Sequence, residues 1–155
     1  MRFTRVRDLI GLSAVAALIS WLVIRQLYGD LPPFPAFVPL SLAVLAVGEF
    51  VLGWQLRARI TRRPGTTRVQ PLVAVRAVAL AKATSLVGAA AAGFWAGLLL
   101  YVVPNIDFLA VADADARTGV IGVVCALVLV GAGLWLEYSC RAPDRPDDDE
   151  PARPA

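Results

Sequence analysis

Histidine is absent from all 155 residues. Imidazole is the usual ligand of zinc and haem and a frequent general base, so its absence weighs against all three chemistries. Charge is scarce as well: only 17% of the residues are Asp, Glu, Lys or Arg, against about a quarter in soluble domains. Cysteine is limited to Cys125 and Cys140. Along one helix these two lie about 22 Å apart, beyond the reach of a disulfide, so both are expected as free thiols. No cofactor, metal site or catalytic residue is expected, and the chain is not expected to be an enzyme.

Apolar residues are abundant: 58% of the chain is hydrophobic and the mean hydropathy is +0.67. They fall into four blocks, at about 9–27, 37–56, 77–103 and 118–136, with the charges between them. Each has about the 20 residues needed to cross a hydrocarbon core of about 30 Å. The basic start MRFTRVR could open a signal peptide, but WLVIRQLYGDLPPFP follows instead of a small-x-small cleavage site, so an uncleaved helix is expected. The third helix is expected to start near Pro71 and stop at Pro104-Asn105. The expected fold is an all-α integral membrane protein over residues 1–139, four transmembrane helices forming two hairpins. Residues 140–155, RAPDRPDDDEPARPA with Cys140 before it, are charged and Pro-rich and are expected to be a disordered cytoplasmic tail.

Arginine sets the orientation. Arg2, Arg5 and Arg7 precede the first span, six arginines from Arg57 to Arg76 link the second and third, and Arg141, Arg145 and Arg153 follow the fourth. The other two connections hold only Arg25 and Arg117, beside Asp30, Asp107, Asp113 and Asp115. Both termini are therefore expected in the cytoplasm, in a multi-pass protein of the cell (inner) membrane. Trp54, Trp135 and Tyr138 fall at inner ends and Tyr28 and Tyr101 at outer ends, where amphipathic rings favour the interface. Trp21 and Trp95 lie deeper and suit helix packing.

Small residues mark the third span: Ser85, Ala89, Gly93 and Gly97 recur every fourth position and share one face. Such a face lets another helix approach closely, either within the bundle, with Gly131 and Gly133 of the fourth span as receiving positions, or in a homo-oligomer or an unidentified membrane protein partner. The basic link RARITRRPGTTRVQP has no aromatic stacking positions, so no nucleic acid is expected. Its charges suit anionic lipid headgroups. Asp113 and Asp115 are accounted for by the first turn of the fourth helix.

Two charges interrupt the spans. Lys82 lies about 9 Å deeper than Arg76, within reach of snorkelling. Glu49 lies about 12 Å from Arg57 along its span, and its shorter side chain cannot return to the interface. A lone charge near a helix centre costs about 2.5–3.5 kcal/mol on insertion scales. Two spans joined by one cytoplasmic link can hold Glu49 and Lys82 at similar depth, so an intramembrane charge pair between them is expected.

The basic N-terminus, the Pro-rich first outer turn, the basic inner link, ALAKATSLVGAAAAGFWAGLLLYVVP, and Cys140-Arg141-Ala142-Pro143 with its acidic run occur in that order. This resembles the small actinobacterial membrane proteins of domain-of-unknown-function family 3180. The resemblance covers nearly the whole chain and implies a four-span membrane protein, often encoded beside pterin and folate biosynthesis enzymes, with no catalytic residues to carry over. A non-catalytic accessory or scaffold subunit, associating with the lipid bilayer and through the small-residue face of the third span, fits best. A small oligomeric transporter or channel using Glu49 and Lys82 is the alternative. An intramembrane enzyme would rest on Ser85 or Cys125 with Glu49 or Lys82, too thin a set for a mechanism.

Overall fold

A computed structural model describes residues 6–28, 35, 37–60, 71–106 and 112–140. The tail beyond Cys140 and residues 61–70 of the basic link, about which sequence expectations were stated, lie outside the described residues. Four helices make up nearly all of the rest: α1 (Val6–Leu27), α2 (Phe37–Ile60), α3 (Pro71–Val102) and α4 (Ala112–Ser139). Each is long and apolar enough to cross a membrane, and no strand occurs among the described residues.

The helix ends follow from local chemistry. Pro71 opens α3 at a position where its missing N–H costs nothing. Pro39 sits in the first turn of α2, where proline is tolerated for the same reason. A short 3-10 turn, Val103–Asn105, closes α3 at Pro104, and the Asn105 side chain donates to the Tyr101 carbonyl at 2.8 Å. That bond satisfies one of the carbonyls a helix C-terminus leaves open. In the first turn of α4, Arg117 pairs with Asp113 one turn away at 3.1 Å, on the exposed side.

The main contacts run in the order α1, α3, α4, α2, and α2 also reaches α3, with Leu56 against Ala77 and Ala81. α1 runs parallel to α3: Gly93 faces Ser13 and Ala16, Gly97 faces Ala17 and Ser20, and Ile24 packs on Leu98 and Val102. α4 runs antiparallel to α3, with Trp95 over Gly122 and Ser85 against Gly133. α2 lies along α4, with Ala46 on Leu129 and Ala132, Gly53 beneath Trp135, and Leu56 on Leu136. Small residues at each contact let backbones approach, which is how helices associate where lipid removes the hydrophobic drive.

The first hairpin anticipated from the sequence is not packed. Among the described residues α1 and α2 do not touch, because glycine-bearing α3 and α4 take the centre and the two earlier helices flank them. The alternating helix directions place the start of α1 and the end of α4 at one end of the bundle. Large apolar side chains cover the outside, including Val15, Leu18, Val44, Val47, Val87 and Val124. Such a coat fits lipid as its surroundings.

Candidate functional site

Along the described part of α2 the buried positions are Pro39, Ala46, Glu49, Gly53 and Leu56; from Ala46 on they are spaced three or four residues apart, a stripe that faces α4. Glu49 thus belongs to the packed face and is only 3% exposed. Neither of its carboxyl oxygens has a hydrogen-bond partner. Thr84 of α3 faces it without closing a hydrogen bond. The Thr84 hydroxyl lies 3.0 Å from the Leu80 carbonyl and 3.2 Å from the Ala81 carbonyl, so its proton is directed into its own helix.

Lys82 is half-buried on α3, two residues before Thr84. Residues two apart point to different sides of a helix. With Thr84 towards Glu49, the Lys82 stem leaves α3 elsewhere, and no hydrogen bond joins Lys82 to the carboxylate. Glu49 therefore stands as a carboxyl in a helix seam beside a hydroxyl.

The small-residue face of α3 is buried throughout. Ser85 donates to the Ala81 carbonyl and packs on Gly133, whose added Cβ would lie 2.6 Å from the Ser85 Oγ. A Cβ on Gly93 would run into the Ser13 carbonyl oxygen, and one on Gly97 into that of Ala17. The face is thus filled by α1 and α4 of the same chain, the first of the two occupants that the sequence left open. Gly133 receives α3, whereas Gly131 has open space at its Cβ position. Ser20 of α1 closes the α1–α3 contact by donating to the Phe94 carbonyl at 2.9 Å.

Three further features were not expected from the sequence. At the α4 N-terminal end, the Tyr28 hydroxyl donates to Asp115 Oδ2 at 2.7 Å, and the Tyr28 and Tyr101 rings lie 5.4 Å apart. Burial first, and the Asp115 hydrogen bond second, push the Tyr28 phenol well above its ordinary range. Asp115 is 2% exposed while Asp113 faces outward. The signal was in the spacing: two acids two positions apart cannot share a helix face, so one had to turn inward. At the opposite end, Glu137 is buried. There too the Arg57 guanidinium lies 5.3 Å from the Trp135 ring centroid and 5.2 Å from that of Tyr138.

Among the described residues no three His, Cys, Asp or Glu side chains gather as a metal site. Cys125 and Cys140 are free thiols, and burial pushes the Cys140 thiol up. No curated protein matches the chain, and no solved structure does. A family model described as "Protein of unknown function (DUF3180)" matches residues 9–144. With most of its length matched, and four helices able to span a membrane, the chain belongs to the DUF3180 family of membrane proteins of unknown function.

Proposed function

We propose that the protein is a non-catalytic accessory component of the cell membrane, with both termini in the cytoplasm. The observation that carries this reading is the apolar outside of the bundle. With α1 and α2 flanking the α3–α4 pair, its outer sides carry large apolar side chains, and a protein of that shape acts through what lies beside it. The small-residue face of α3 is used up internally, so lateral association falls to the outward sides of α3 and α4, where Val87 and Val124 are exposed. The arginine-rich ends support the orientation.

Photo-crosslinking in native membranes, from a photoreactive residue at position 87 or 124, tests this. A discrete protein adduct of fixed mass is expected. Adducts with lipid alone would overturn the accessory role.

A second reading, a small oligomeric transporter or channel, is favoured by Glu49, since an ionisable group buried in a span is a functional candidate by default. In that case Glu49 would stand on the polar path, with Lys82 leaving α3 on another side. Self-crosslinking at positions 87 and 124, together with a liposome flux abolished by Glu49→Gln, would favour it over the first.

A further inference from the structure

The outer side of the α2–α4 contact carries a groove of about 310 Å³ with an almost wholly apolar lining. Ala46 and Ala132 form its narrow floor, Val47 and Val128 its rims, and Phe50 and Trp135 close one end. The lining contains Gly131, where an added Cβ would meet nothing within 4 Å. The closed end is aromatic: Phe50 and Trp135 stack at 5.8 Å, and Trp135 leads on to Tyr138 at 6.2 Å. The exposed Arg57 side chain lies over both Trp135 and Tyr138.

We infer that this groove is a binding site for an anionic phospholipid, one acyl chain lying in the slot and the phosphate meeting Arg57. The two parts match the two halves of such a lipid and are joined through Trp135. A guanidinium resting its face on aromatic rings presents its N–H donors along its edge, the geometry that grips a phosphate. Further arginines follow in the chain at 59, 62 and 63. A second copy is a poorer occupant. Two copies sharing one membrane orientation, related by a two-fold axis through this groove, would bring both Arg57 side chains to the same level and towards each other. The inference does not depend on the accessory role.

Native mass spectrometry of the full chain, released from detergent with phosphatidylglycerol or phosphatidylcholine added at equal concentration, tests it. About tenfold better retention of phosphatidylglycerol is expected, the size of one charge-assisted hydrogen bond. Gly131→Leu fills the slot in open space and is expected to fold normally and lose both lipids. Arg57→Gln is expected to keep binding but lose the headgroup preference. Equal retention of the two lipids by the unaltered protein would overturn the inference. So would undiminished phosphatidylglycerol binding by Gly131→Leu. A dimer peak that replaces the lipid adduct and disappears in Gly131→Leu would assign the groove to a second copy instead.

Discussion

Individual residues divide into those whose surroundings permit change and those whose surroundings forbid it. A methyl group at Gly97 would press on the Ala17 carbonyl oxygen and come within 2.8 Å of the Ser20 Cβ, and the carbonyl belongs to helix backbone that cannot swing aside. Gly97→Ala is therefore expected to destabilise by about 1–3 kcal/mol. Gly48→Ala, which meets nothing within 4 Å, is expected to be neutral or slightly stabilising. Thermal unfolding in detergent measures both. Tyr28 offers a second contrast. Its phenol titrates above the ordinary value of 10.0 when folded, so the unfolded chain loses the proton first as pH rises. Stability from this group is full below about pH 10 and declines above it. Tyr28→Phe is expected to cost about 1.5 kcal/mol at neutral pH and to flatten part of the alkaline decline, measured as the difference between the two proteins' stability–pH curves.

Helix existence and depth were legible in the sequence, whereas rotation about each helix axis was not. Rise per residue converts residue number into depth, which is why Glu49 stood out as too deep to snorkel. Depth alone also suggested Lys82 as its partner. Azimuth decides the contact, and azimuth is fixed by the neighbouring helix: α4 draws the Ala46-Glu49-Gly53 stripe inward, and Thr84 is the α3 residue that then faces Glu49. Likewise the every-fourth spacing of Ser85, Ala89, Gly93 and Gly97 revealed a packing face but not its occupant. Periodicity has no term for which helix arrives. The helix order makes a test at this scale. In a background with Cys125 and Cys140 replaced by Ala, Ala46→Cys with Leu129→Cys is expected to form a disulfide under mild oxidation. Ser20→Cys with Ala46→Cys, one on each flanking helix, is expected not to. Peptide mapping by mass spectrometry reads out both, and the reverse pattern would mean that α1 and α2 are neighbours.

For the molecule as a whole, the proposed orientation places Cys140 on the cytoplasmic side. A thiol reagent that cannot cross membranes is expected to leave it unmodified in intact cells and to modify it after lysis. Because burial holds the Cys140 thiol up, its thiolate fraction at neutral pH is small, and labelling after lysis is expected to quicken as pH rises. Labelling in intact cells at any pH would reverse the orientation. Composition made the membrane class legible at once. The order of the helices was not legible, because any order of four such helices demands the same apolar content.

That the two flanking helices each wait for a later one has a consequence for biogenesis. The ribosome delivers α1 and α2 first, and neither has its lasting neighbour until another stretch of chain has entered the bilayer. α1 finds its place when α3 arrives, and α2 only when α4 does. During that interval Glu49 crosses into lipid without the helix that later shelters it. The stage most sensitive to an insertion chaperone, or to a change at position 49, therefore falls before the fourth helix is made.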